Sequence, residues 1–251
     1  MVALLPGLPL WFFLTALLYA MVGFGGGSTY TALLAMSDTQ VWRIPMMALL
    51  CNITVVAIGI WLAIYRRVFD WRAALPFFIA SVPMAFLGGL VPLRDATYLT
   101  LLAVSLLLAG LQLLLSQTKP AADNTQHQTA IALGVGAGLG LLSGMVGIGG
   151  GIFLAPILFR LRWANAKDIA SLCSVFILVN SVAGLAGQLA KHGPTVVPDI
   201  LSVSAPLLVA VAIGGLLGGR GLLERVSHKR MRQGTACLII FVALRLLWQV
   251  Y

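Results

Sequence analysis

Long apolar segments separated by short polar connections fill most of this sequence. Eight segments can be delimited, four in each half of the chain: 8–36, 45–65, 73–93, 96–116, 129–159, 168–190, 197–219 and 231–251. A helix needs about 20 apolar residues to cross the hydrocarbon core of a bilayer. Six segments have about that length, whereas the first and the fifth run to about 30 residues. The pattern predicts an all-α polytopic membrane protein.

Each of the two long segments is interrupted by a run of three glycines. Residues 23–29 read GFGGGST and residues 147–153 read GIGGGIF, so the two motifs lie 124 residues apart. Three successive glycines do not suit a continuous helix, because ordering glycine costs more chain entropy than ordering any other residue. At membrane depth, broken backbone is tolerated only where protein or a water-filled cavity satisfies it. The two runs therefore predict a bound polar ligand or a moving part.

Both halves repeat the same order of features after the glycine run. A second segment carries polar residues, a third contains proline and then a glycine pair, and a leucine-rich fourth closes the half. The extended polar stretch 117–128 separates the halves. We therefore predict two repeats, residues 1–122 and 123–251, each with one glycine-broken helical hairpin plus three transmembrane helices.

Positive charges indicate how the repeats are oriented, because cytoplasmic loops carry an excess of Lys and Arg. If all eight segments crossed once, the basic residues would divide 10 to 6 between the two faces. If the two long segments enter and leave on one face, the division becomes 12 to 4, and only Arg43, Arg94, Lys191 and Arg245 lie outside. We favour the second arrangement, which puts both termini outside and makes the halves inverted repeats, as in many secondary transporters.

The broken segments are predicted to be re-entrant. Each arm has about 14 residues, or about 21 Å of helix, which is shorter than a hydrocarbon core of about 30 Å. Two hairpins that enter from opposite faces would bring their glycine tips close together in the interior. Strong tilting or a thinned bilayer would let the arms cross the membrane fully, and each half would still make an odd number of net crossings.

The glycine breaks also predict the kind of ligand. A helix that restarts after a break exposes unpaired N–H groups and the positive end of its dipole, and glycine lets a ligand approach closely. Such a site binds an anion without a charged side chain, and Ser28 and Thr29 would add hydroxyl donors or cap the helix. The predicted substrate-binding residues are Gly25, Gly26, Gly27, Ser28, Thr29, Asn52, Gly149, Gly150, Gly151, Ser171, Ser174 and Asn180.

Structural explanations stand beside this one. Asn52 and Asn180 could equally form hydrogen bonds between helices, and serine or threonine in a membrane helix often bonds its own backbone. A further set of glycines has the small-xxx-small spacing of a helix-packing surface. These are Gly134, Gly136, Gly138, Gly140 and Gly144.

The paired motifs, GFGGG at 23–27 and GIGGGIFLAP at 147–156, resemble those of the TauE/SafE sulfite exporter family of membrane transporters. The resemblance covers essentially the whole chain, and it implies export of small sulfur-containing anions, sulfite or organosulfonates, across the bacterial inner membrane. The second motif matches closely, including Pro156. The first departs from it, because STYTA at 28–32 replaces an apolar run that ends in proline, which makes this tip more polar.

Composition and the absence of other motifs narrow the function further. The chain is 60% hydrophobic and 9% charged, against about 25% charged residues in a soluble domain. Its net charge of +9 orients it in the membrane and does not indicate nucleic-acid binding. No acidic residue or histidine lies in the middle of an apolar segment, and no metal-ligand motif occurs. We therefore expect no enzyme activity, cofactor, metal or mid-membrane proton carrier.

Two readings of function remain at this stage. The first is alternating-access transport of a small anionic substrate, and the alternative is a passive anion channel with the same site. The expected partners are the substrate, the lipid bilayer and, as an open alternative, a second copy in a homodimer.

Overall fold

A computed structural model of the chain describes residues 7–21, 24–64, 71–115, 129–161, 163, 166–219, 237 and 240–248. Nine α-helices are delimited within these ranges: Leu8–Ala20 (α1), Gly27–Ala35 (α2), Ile44–Ile64 (α3), Trp71–Leu90 (α4), Asp95–Leu115 (α5), Thr129–Val146 (α6), Gly151–Arg160 (α7), Ala166–His192 (α8) and Val197–Gly219 (α9). Short 3₁₀ turns, Val41–Arg43 and Pro194–Val196, precede α3 and α9. Residues 240–248 are helical as well.

The helices correspond closely to the predicted segments. The first long segment is broken into α1 and α2 and the fifth into α6 and α7, while α3, α4, α5, α8 and α9 each form one helix. The arms are less equal than predicted: α6 has 18 residues and α7 has 10. The α6 arm is thus about 27 Å long instead of about 21 Å. The connection 117–128 and most of the eighth segment lie outside the described residues.

Five described helices are long and apolar enough to cross a bilayer. They cover Val41–Ile60, Asp95–Gln112, Thr129–Val146, Asp168–His192 and Pro194–Gly219. Shorter apolar helices are Leu8–Ala20, Leu75–Leu90 and Gly151–Arg160.

Large apolar side chains cover the outer surface as well as the interior. Trp11, Ile79, Leu108, Val209 and Phe241 each have a relative exposure of 57–60%. Soluble monomers rarely expose large contiguous apolar patches, whereas lipid chains solvate such a surface. The outer surface is therefore that of an integral membrane protein.

The third helix of each half packs with the other half. Helix α4 packs mainly against α6 and α8, and α9 packs mainly against α1 and α3. Helices α3 and α8 pack against each other at the centre. We call α1, α2, α3 and α9 the first bundle, and α6, α7, α8 and α4 the second bundle. The two sequence halves are therefore interlocked.

Glycines bring the exchanged helices into close contact. A Cβ atom on Gly140 of α6 would overlap the backbone of Ser81 in α4, and Gly136 and Gly144 are equally close to that helix. Gly134 and Gly138 were predicted to share this surface, but a Cβ atom added to either glycine would have no neighbouring atom within 4 Å. The prediction was wrong for these two, because they lie on another face of α6.

Two polar contacts show which helix ends lie together. Arg43, directly before α3, forms an ion pair with Asp199 in the first turn of α9, with 3.0 Å between nitrogen and oxygen. Lys191, near the end of α8, donates to the carbonyl of Val91, just past α4, at 3.3 Å. We call this end of the molecule the Arg43 end.

Candidate functional site

Both glycine runs leave helical geometry at the residue before the second arm. Gly26 (φ 82°) precedes α2 and Gly150 (φ 77°) precedes α7, and both have left-handed backbone. Residues with a side chain rarely adopt this conformation. The predicted breaks are thus confirmed, and at these two positions the chain requires glycine.

Helices α2 and α7 begin without a side-chain cap. In α2 the N–H groups of Thr29 and Tyr30 both bond the Gly26 carbonyl at 3.0 Å, and α7 repeats the arrangement on Gly150. In each of these helices, the N–H groups of the first two residues have no acceptor within the helix, as at any α-helix N-terminus. The prediction that Ser28 or Thr29 caps α2 is wrong, because Gly26 takes the cap position.

The two breaks contact each other in the interior. A Cβ atom on Gly27 would overlap the carbonyl oxygen of Ile148 in the other break. Gly147 lies against Pro45 of α3: a Cβ atom added to Gly147 would be 2.6 Å from the Cα of Pro45. All residues of 25–32 and 146–151 are buried. The structure thus brings the two glycine tips together, as the hairpin model predicts.

Asn52 of α3 lies between the two tips. Its Nδ2 donates to the Ile148 carbonyl at 3.2 Å, and a Cβ built on Gly25 would lie 2.6 Å from its Oδ1. Asn52 is fully buried, and Oδ1 has no hydrogen-bond partner among the described residues. A buried polar atom left unpaired costs about 1–3 kcal/mol. A bound group that donates to Oδ1 would recover that free energy.

Ile177 of α8 holds the corresponding place in the second half. It lies against Gly25, Gly149 and Gly151, as Asn52 lies against two glycines of the first run and one of the second. The sequence offers Asn52 and Asn180 as the amides of the two second helices. The contacts instead pair Asn52 with an aliphatic residue, so the site is polar on the α3 side.

Ser181 of α8, which was not predicted, faces the second break. Its Oγ lies 3.3 Å from a Cβ built on Gly149 and has no hydrogen-bond partner in the described part of the chain. The predicted residue Asn180, one position earlier, is also fully buried, and neither of its amide atoms is paired within the described ranges. No contact places Asn180 at the glycines, so its role as a ligand stays a prediction.

The remaining predicted residues of α8, Ser171 and Ser174, lie nearer the start of the helix. Ser174 donates to the Ala170 carbonyl at 2.9 Å, the local bond that serine often makes in membrane helices. The contacts of α8 with the glycines of the second break include Phe176, Ile177 and Ser181, together with the Cys173 carbonyl. The binding roles predicted for Ser171 and Ser174 therefore stay predictions.

A hydroxyl group of α1 completes the first tip. Tyr19 Oη lies 3.0 Å from Thr29 Oγ1 and 3.5 Å from Ser28 Oγ. Tyr30 stacks on Phe12 with ring centroids 4.8 Å apart, and its buried hydroxyl has no partner among the described residues. Sequence reasoning missed both tyrosines, because an aromatic residue in an apolar segment looks like ordinary core.

The second tip is less polar than the first. Ile152 and Phe153 follow its glycines where Ser28 and Thr29 follow those of the first tip. Within the described ranges, no group of three or more His, Cys, Asp or Glu residues is arranged to hold a metal ion. What the arrangement offers a ligand is backbone N–H groups, hydroxyls and one amide.

Known proteins with similar sequences are described as transporters. The family described as sulfite exporter TauE/SafE matches residues 8–246. The chain is 34% identical over 247 residues to the probable membrane transporter protein y4hK of Sinorhizobium fredii (strain NBRC 101917 / NGR234). The aligned region covers 96% of this chain and 98% of that relative. It is 24% identical over 242 residues to the probable membrane transporter protein MJ0441 of Methanocaldococcus jannaschii, covering 91% and 90%. No solved structure matches the chain.

Proposed function

Because the chain belongs to the sulfite exporter TauE/SafE family, we propose that it exports small sulfur-containing anions, sulfite or an organosulfonate, across the cell inner membrane. It acts as a multi-pass secondary transporter. The family description supports the substrate class, and the names of both relatives support transport in preference to catalysis.

One observation carries the anion site: two uncapped helix N-termini meet beside a buried amide with an unpaired oxygen. Helices α2 and α7 both start at a glycine break, and Asn52 lies against glycines of both breaks. Backbone N–H groups and the helix dipole favour a negative charge at such a place. An amide side chain both donates and accepts hydrogen bonds, which suits an anion that carries a proton, such as hydrogensulfite.

The proposed repeats are inverted. At the Arg43 end, α3 begins where its counterpart α8 ends, and α4 ends where its counterpart α9 begins. Corresponding helices thus run in opposite directions, which supports an inverted repeat of the kind found in secondary transporters.

Alternating access would then involve the two bundles. Because α4 and α9 are exchanged between the halves, the moving bodies are the first bundle (α1, α2, α3 and α9) and the second bundle (α6, α7, α8 and α4). The main contact between them is α3 with α8. Movement there would open the glycine breaks to one face at a time.

No side chain at mid-membrane is assigned to proton transport. Asp38 lies beyond the end of α2, and Asp168 and His192 lie at opposite ends of α8. Coupling would come from the protonation of the substrate, from another ion or from the membrane potential that expels an anion. If replacing any of these three residues removed proton-linked flux but spared sulfite binding, this part of the proposal would be wrong.

Counterflow in proteoliposomes tests the proposed function. Labelled sulfite should enter vesicles with saturable kinetics, and unlabelled sulfite inside should accelerate its entry, with protein-free vesicles as the blank. Flux that neither saturates nor exchanges would favour the passive anion channel. No flux of sulfite, thiosulfate or sulfoacetate would contradict the substrate class.

A further inference from the structure

We propose that Arg43 forms a second oxyanion site at the Arg43 end, and that the carboxylate of Asp199 occupies this site when the transported anion does not. The inference rests on the proposed function, because the ligand is the same class of sulfur oxyanion.

The guanidinium of Arg43 is buried and only partly paired. Arg43 has a relative exposure of 9%, and only Nη2 contacts Asp199, at 3.2 Å from Oδ1 and 3.0 Å from Oδ2. Nε and Nη1 are buried without a hydrogen-bond acceptor among the described residues. Arginine commonly binds an oxyanion through two parallel N–H groups. Nη2, which Asp199 occupies, forms such a parallel pair with either Nε or Nη1. An oxyanion that displaces the carboxylate would therefore meet two parallel N–H groups.

The position of Arg43 connects it to the candidate site. Pro45, two residues further along, lies against Gly147 of the second break. Asn52 follows nine residues after Arg43, which is about 13 Å along a helix. An anion that leaves the breaks towards the Arg43 end therefore passes close to this guanidinium.

The two partners of the ion pair differ in freedom. The Arg43 guanidinium lies 5.2 Å from the centre of the Trp42 ring, and that ring packs against His192 at 5.3 Å. The side chain of Asp199 is 43% exposed, against 11% for Arg43. Asp199 also lies in the first turn of α9, where the helix dipole favours its charge. The carboxylate can therefore turn towards water, while the guanidinium keeps its place for the arriving oxyanion.

Calorimetric titration of the purified full-length protein with sulfite tests the exchange. Asp199→Asn removes the competing carboxylate charge, so the Kd for sulfite should fall by about three- to tenfold. The double variant Arg43→Gln, Asp199→Asn should lose this gain, because the receiving guanidinium is gone. Asp95→Asn is the matched control, because Asp95 starts α5, which follows the end of α4 that lies at the Arg43 end. The Kd of this variant for sulfite should differ from that of the wild type by less than about twofold.

The outcomes separate this inference from the proposed function. An equal fall in Kd for Asp199→Asn and Asp95→Asn, or a gain that survives in the double variant, would overturn the second site and leave the transporter intact. Weaker binding by Asp199→Asn, with its melting temperature unchanged, would overturn it as well. Failure of the wild type to bind sulfite, thiosulfate or sulfoacetate would overturn the proposed function itself.

Discussion

At the scale of single residues, Asn52 is the side chain that links the two glycine breaks. It donates to the Ile148 carbonyl and lies against glycines of both runs. Its unpaired oxygen is a buried acceptor that the folded chain leaves open within the described residues. We therefore expect transport to depend on this residue more than on the hydroxyls around it.

Replacing Asn52 by Leu should slow sulfite counterflow by about tenfold or more, because hydrogen bonds to a charged ligand are worth about 1.5–3 kcal/mol and the variant cannot form them. Ile177 shows that the corresponding position of the second half holds an aliphatic side chain, so the variant should fold. Thr54→Val is the control, since Thr54 on the same helix donates only to the Leu50 carbonyl of its own helix. Equal counterflow by both variants would contradict the role of Asn52.

The glycine breaks and the amide of Asn52 could be predicted from sequence, because runs of glycine and a lone polar residue stand out in apolar segments. Ile177 could not, since an isoleucine in a membrane helix carries no signal. The counterpart of Asn52 lies 125 residues further on, whereas the glycine motifs are 124 residues apart. Asn180 lies three residues beyond Ile177, almost one helical turn further along α8.

The Arg43–Asp199 ion pair also escaped prediction. Its partners are 156 residues apart, and each looked like an ordinary charge in a loop. Only the exchange of α9 into the first bundle brings them together.

At the scale of elements, the packing of α6 on α4 depends on one face of α6. Gly140→Ala should destabilise the protein by about 1–3 kcal/mol, because the added methyl group would overlap the Ser81 backbone and the helices would have to separate. Gly138→Ala lies in open space and should leave stability unchanged or raise it by up to about 1 kcal/mol through helix propensity. Thermal unfolding in detergent measures both. Equal melting temperatures would show that this face of α6 does not control packing.

Helix positions followed from the apolar segments, but the lengths of the arms did not. The first glycine of the second break, Gly147, comes 18 residues after Thr129, so the break is not at the centre of its segment. Dividing the segment into equal arms therefore made α6 too short. Segment length alone does not locate a break, whereas the glycine positions do.

At the scale of the whole molecule, the Arg43 end is predicted to face the outside. In a Cys237→Ser background, single cysteines at Gln40 and Thr195, both exposed, should react with a membrane-impermeant maleimide added outside intact cells. Leu161 is 39% exposed and lies just before the start of α8, whereas the Arg43 end lies at the other end of that helix. A cysteine at Leu161 should therefore react only after the membrane is permeabilised. Cys51 and Cys173 are buried and should give little background. Labelling of Gln40 and Thr195 from opposite faces would contradict this topology.

The exchange of α4 and α9 between the halves was beyond sequence reasoning. Repeats can be recognised from the order of features, but which helix packs on which depends on tertiary contacts such as those of Gly140 with Ser81. The charge count favours one parity of the two hairpins, because it depends only on which loops share a face, and that parity stays a prediction.

The central claim is that both glycine breaks form one anion site, and the sulfite-dependent rise in melting temperature tests it most directly. Gly27→Ala and Gly151→Ala each add one methyl group at the first residue of α2 or α7, where it would meet Asn52 or Ile177. Gly134→Ala is the control, with open space around it. The account predicts that sulfite stabilises the wild type and the control, and that each break variant alone loses this stabilisation. Stabilisation that persists in either break variant would contradict a single site built from both breaks.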